Sequence, residues 1–64
     1  MFSRNKDKYK TSGERIFNGK KFKRKYHFTL KSKARAYAEE QRGKGFNVRI
    51  VGHTGVYTVY ERKA

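Results

Sequence analysis

The residues best placed to do chemistry in this chain are cations packed into one short run. In Lys20-Lys21-Phe22-Lys23-Arg24-Lys25, five cations fill six positions with no acid among them. Ammonium and guanidinium groups at that density neutralise phosphates and release the counterions condensed on a nucleic-acid backbone. One or two lysines would suffice to keep an edge strand from aggregating, so edge protection leaves most of the run unexplained. Catalysis has less to work with. His27 and His53 are the only histidines, whereas a metal site needs three or four convergent ligands. Glu39 and Glu40 are adjacent, so on a helix they diverge and form no acid–base pair. The serines lack a matching His and Asp constellation, and there is no cysteine. These residue types point to a protein that is not an enzyme and carries no metal or cofactor.

The whole chain repeats the message of the run. Eighteen Lys and Arg face five Asp and Glu, a formal charge of +13 on 64 residues. Solubility alone asks for a net charge of only about 2–8. Heat-adapted surfaces enrich Glu along with Lys, and here acids are scarce. Self-repulsion at this density opposes compaction, and a polyanionic partner relieves it. Length allows one domain, burying roughly 60% of the surface its unfolded chain exposes. No apolar run approaches the roughly 20 residues of a membrane span. The basic N-terminus lacks the apolar core of a signal peptide, so a cytoplasmic, non-secreted location is expected. The absence of cysteine is compatible with it.

The elements that must carry these cations can be read from turn chemistry and periodicity. Residues 1–13 alternate small polar with basic residues and end in Thr-Ser-Gly, the composition of a flexible basic arm. The domain proper is 14–64. Asn18-Gly19 is the preferred pair for a two-residue type I′ hairpin, which sets Phe17 opposite Lys20, Arg15 opposite Phe22 and Glu14 opposite Lys23. Along the second strand, strict alternation puts Phe22, Tyr26, Phe28 and Leu30 on one face. Lys21, Lys23, Lys25, His27 and Thr29 then share the other. Arg24 is out of place in the apolar row and is expected to snorkel at an edge.

Ser32 reads as a helix N-cap. The helix over 33–42 shows Ala34, Tyr37, Ala38 and Gln41 at i, i+3, i+4 and i+7, a narrow apolar stripe. Gly43 and Gly45 compete to end it. A second hairpin follows, with Val51 paired to Val56 across residues 52–55, so that Ile50 meets Tyr57 and Val48 meets Val59. The fold class is α+β: β-β-α-β-β, a small, mostly antiparallel sheet with one helix on one face.

One helix covers one side of a sheet, and the other side is where a partner fits. Unbroken alternation gives that side Ile16, Lys21, Lys23, Lys25, His27 and Thr29 from the first hairpin. The second hairpin adds Asn47, Arg49, Val51, Val56, Thr58, Tyr60 and Arg62. In this reading Lys21, Lys23, Lys25 and Arg49 contact phosphates or base edges, with Lys20 beside them, and Tyr60 stacks or packs on sugar. Lys31, Lys33 and Arg35 cluster at the helix start, where the dipole favours anions. With one platform aromatic rather than two or three, duplex DNA is favoured over RNA. The alternative from the same residues is a homodimer or assembly module closing over Ile16, Val51 and Val56. No small-molecule substrate is expected.

Phe28, Ala34, Ala38, Gly45-Phe46-Asn47-Val48 and Gly55-Val56-Tyr57-Thr58-Val59 carry a resemblance. Across residues 28–64 the chain resembles the strand–helix–hairpin half of the sporulation-related repeat (SPOR) fold, whose sheet face binds denuded glycan strands of peptidoglycan. The resemblance implies a glycan-binding sheet as a further alternative. The chain departs from that family in opening with a lysine-rich hairpin where the full fold has a second helix.

Overall fold

Asn18-Gly19 behaves as its chemistry requires. In the computed structural model, which describes residues 8–64, Asn18 and Gly19 take φ of 52° and 77°, left-handed as a type I′ turn demands at both positions. The turn joins β2 (Glu14–Phe17) to β3 (Lys20–Phe28). Phe17 meets Lys20, Arg15 meets Phe22 and Glu14 meets Lys23, as the turn chemistry predicts.

β3 outruns β2, and its spare length recruits the segment before the hairpin. β1 (Lys8–Lys10) pairs antiparallel with the far half of β3, Tyr9 opposite His27 and Lys10 opposite Tyr26. The expected basic arm is therefore corrected over residues 8–13, which are tied to the sheet; residues 1–7 lie outside the described residues. Between β1 and β2 the Thr11 amide donates to the Lys25 carbonyl (3.0 Å), and the Arg24 amide donates to that of Gly13 (2.8 Å). The Arg24 side chain donates from Nε (2.9 Å) and Nη2 (2.6 Å) to the Ser12 carbonyl, tying the connection between β1 and β2 to β3.

α1 spans Lys31–Gly43, with Leu30 at its N-cap and no side-chain cap bond. Ser32 is thus not the cap: the Leu30 carbonyl already accepts from the Ala34 amide (3.1 Å), so the helix starts before Ser32. Leu30, expected on the apolar face, is exposed where the chain leaves the sheet. At the other end Gly45, at φ 95°, supplies the left-handed residue. Ala34 and Ala38 are completely buried, and such small side chains let α1 lie close on Phe28, Val48 and Val59. Burying one ring such as Phe28 contributes roughly 1.5–3 kcal/mol.

β4 (Phe46–His53) and β5 (Val56–Lys63) form the second hairpin. His53 pairs with Val56 and Ile50 with Val59, so the expected four-residue loop tightens to Thr54-Gly55. The register moves by two positions, and because side chains repeat every two residues the faces are kept. β5 inserts between β3 and β4. The sheet order is β1-β3-β5-β4, with β2 beside β1 on the same edge of β3. Every pairing is antiparallel. The fold is α+β, five strands with α1 lying over β4 and β5.

Candidate nucleic-acid interface

The side each cation occupies is decided at a break in β3. Directly opposed residues of antiparallel strands project to the same side. Lys23 opposes Glu61, and Arg24 opposes Tyr60; then the register shifts, and Tyr26 opposes Val59 and His27 opposes Thr58. Lys25 is the extra residue of a β-bulge, which reverses the alternation on either side of it. Glu61 faces the helix, since its carboxylate accepts from the Tyr37 hydroxyl (3.2 Å) and Gln41 Nε2 (3.5 Å). Lys23, and Lys21 two residues before it, therefore project on the helix side. Phe22 and Arg24 project on the open side. Tyr26 and Phe28 return to the helix core.

This corrects the expected surface. The lysine row does not share a face with His27, Arg49, Tyr60 and Arg62. Lys21, Lys23 and Lys25 instead line a groove with Glu61 and Lys63. Arg24 was the visible sign: a charge in an apolar row marks where the row changes sides.

What the open side holds is an aromatic cluster under arginine. The Phe17 ring meets Phe22 edge-on at 5.2 Å and Tyr60 at 5.3 Å between centroids. The Arg15 guanidinium lies 5.1 Å from the Phe17 centroid, and that of Arg49 lies 5.3 Å from it. Arg49 also reaches Phe22 and Arg15 reaches Tyr60. Each exposed cation–ring contact contributes about 0.5–1 kcal/mol, enough to restrict a guanidinium that stays in solvent. Among the described residues, neither arginine pairs with a carboxylate. Lys20, opposite Phe17, and the opposed Asn47 and Arg62 continue this side.

Two expected contact residues serve the scaffold instead. Tyr60 is 6% exposed and covered by Phe17, so it has no free ring face to stack on. Thr58 is equally buried, its hydroxyl 2.9 Å from His27 Nδ1. Arg15 and Phe17 belong to this cluster, although alternation along β3 alone did not bring them to it. The hairpin register already tied Arg15 to Phe22, so placing Phe22 correctly would have found both. Lys31, Lys33 and Arg35 are exposed on α1, apart from the arginine pair; the first helical turn holds no acid.

The acids do little to offset this charge. Glu14 lies 3.7 Å from Lys21, and Glu40 lies 4.0 Å from Lys44. Such exposed pairs add at most about 1 kcal/mol, but each cancels one negative charge at the surface. Glu61 is buried. Burial, followed by the Glu61 carboxylate beside it, pushes the Tyr37 phenol well above the ordinary tyrosine range, so it remains a donor. Among the described residues no three His, Asp or Glu side chains group as metal ligands would, and no helix is long and apolar enough to cross a membrane. No family model matches the chain, nor does any curated protein or solved structure.

Proposed function

We propose that this chain is a non-enzymatic nucleic-acid-binding protein, taking duplex DNA in preference to RNA, and that Arg15, Lys20, Arg49 and Arg62 on the open side make its principal contacts. The observation that carries the reading is the arginine pair. Arg15 and Arg49 approach one Phe17 ring at 5.1 and 5.3 Å, exposed and unpaired among the described residues. A guanidinium already restricted by a ring loses less freedom when it forks onto a phosphate or a guanine edge. Burial of Tyr60 removes the stacking plane a single-strand platform would use, which favours duplex contact.

The homodimer reading has less behind it. Ile16 is 63% exposed, but it opposes Lys21 and so lies on the helix side, whereas Val51 and Val56 lie on the open side. The three do not form one patch.

The test is a salt titration of duplex binding. Four phosphate contacts give log K a slope of about −4 against log salt. Replacing both Arg15 and Arg49 with alanine should reduce the slope by about 2 and weaken binding by at least tenfold. Lys33→Ala with Arg35→Ala removes the same charge from the helix start and should cost several-fold less. Equal losses from the two pairs would leave charge without a defined face. A flat salt profile in the unaltered protein would defeat the proposal outright.

A further inference from the structure

At the margin of the open side, a recess gathers cations without an acid in its lining. It lies where the β2–β3 turn, the last turn of α1 and the start of β4 come together, and Asn18, Lys20, Arg42, Asn47 and Arg49 line it. The three cations are exposed, and among the described residues none of them pairs with a carboxylate. Two are restrained. Arg42 Nη2 donates to the Val48 carbonyl at 3.1 Å, and the Arg49 guanidinium lies 5.3 Å and 6.0 Å from the Phe17 and Phe22 centroids. Protection of the β4 edge accounts for Arg42 alone; it gives no reason for Lys20 and Arg49 to stand beside it.

Charge decides which anion fits. The C-terminal end of α1 brings roughly half a negative charge, so the recess presents about 2.5 positive charges. A phosphodiester inside a strand carries one negative charge. A terminal phosphate carries about 1.5–2, with three strong acceptor oxygens. Arginine forks onto two oxygens in a fixed geometry, and lysine meets a third as a mobile point charge. A guanidinium has five donors, so the bond to Val48 leaves Arg42 others to give. The amides of Asn18 and Asn47 add neutral donors. Arg49 belongs to both surfaces, so a strand lying on Arg15 and Arg49 can deliver its end to the recess.

We infer that this recess binds a phosphate dianion of the kind that ends a nucleic-acid strand. The inference rests on the open-side reading for the strand itself and adds a preference for its phosphorylated end. The same dianion has two sources, a strand end or free phosphate, and the experiment separates them.

Short blunt duplexes of one sequence, bearing 5′-phosphate or 5′-hydroxyl ends, are compared by fluorescence anisotropy. Inorganic phosphate is titrated in parallel against the amide chemical shifts of the full chain. The phosphorylated duplex should bind about tenfold more tightly, the yield of charge-assisted hydrogen bonds. Arg42→Gln should bring the two affinities together while keeping a donor for Val48. Should that variant unfold, Lys20→Ala at the exposed start of β3 should narrow the ratio several-fold. Arg15→Ala, outside the recess, should weaken both duplexes by the same factor. A phosphorylated-end gain that Arg42→Gln removes identifies the strand end as the source. Equal duplex affinities, with phosphate shifting the amides of Lys20, Arg42, Asn47 and Arg49, identify free phosphate. Equal affinities with no such shifts, or a gain that survives Arg42→Gln, overturn the recess. Failure of both duplexes while phosphate still binds here would defeat the open-side reading and leave the recess standing; failure of all three ligands defeats both.

Discussion

The two sides of the sheet are closed by opposite means. On one, α1 sets Ala34 and Ala38 against Phe28, Val48 and Val59, and the cover is a helix face. On the other, Phe17, Phe22 and Tyr60 are closed by the chain's own hairpin and by two guanidiniums. A chain of 64 residues thereby keeps apolar groups on both sides of one sheet, because β3 changes sides at Lys25. The helix side holds itself together. On the open side the charged lid belongs at once to the fold and to the proposed contact surface, so a polyanion that binds there also stabilises it.

The largest effect that tests this contrast is a pair of ring deletions. Phe28 and Phe22 are almost equally buried, at 3% and 5% exposure. Phe28→Ala should cost about 3–5 kcal/mol, most of what a domain this small possesses, at about 0.05–0.15 kcal/mol per residue. Phe22→Ala should cost less, about 2–3 kcal/mol, since its surroundings are side chains free to close over the gap. Urea unfolding measures both. Hydrogen exchange should then show β2 opening in Phe22→Ala while β4 and β5 stay protected. Identical exchange patterns in the two variants would mean one core, and the contrast would dissolve.

What could be read in advance divides along physical lines. Asn18-Gly19 fixed its turn and register because the φ requirement is local, and the Ala34–Ala38 stripe located the helix face for the same kind of reason. The bulge at Lys25 is not local. It depends on which residues of β5 lie across from β3, and only Arg24 in an apolar row hinted at it. β1 escaped notice because three residues become a strand only when a longer neighbour leaves an edge to pair with. Of the site, Arg49 and Arg62 were placed on the correct side by simple alternation along one hairpin. The lysines and Tyr60 were misjudged, because their surroundings come from a different hairpin.

A smaller effect sharpens the contrast at the margin of the open side. Gly13 has φ 132°, and a Cβ there would come within 2.6 Å of Arg24 Nη2. That guanidinium is the group holding the Ser12 carbonyl. Gly13→Ala should therefore combine backbone strain with displacement of Arg24, costing about 1–3 kcal/mol. Chemical shifts should change along β1 and β2 and leave α1 nearly as it was. A loss confined to global stability, with β1 still paired, would show that the Arg24–Ser12 tie between β1 and β2 is incidental.

The smallest effect concerns a polar tie inside the helix side. Tyr37 donates to Glu61 at 3.2 Å, and burial together with that carboxylate raises its phenol well above the usual value. In the unfolded chain a tyrosine releases its proton near pH 10. Above that pH the unfolded state gives up its proton first, so stability present below about pH 10 is lost as pH climbs towards the raised folded value. Tyr37→Phe should cost about 1 kcal/mol at neutral pH, the worth of one hydrogen bond. Lacking the phenol, the variant should lose less with rising pH, so its deficit shrinks above about pH 10. Thermal unfolding of both proteins from pH 8 to 11 provides the measurement. Every other side chain is common to the two proteins, so the difference between the curves isolates Tyr37. Parallel curves through pH 10 would mean that the phenol is not held above its ordinary range, and that Glu61 is anchored to the helix by Gln41 instead.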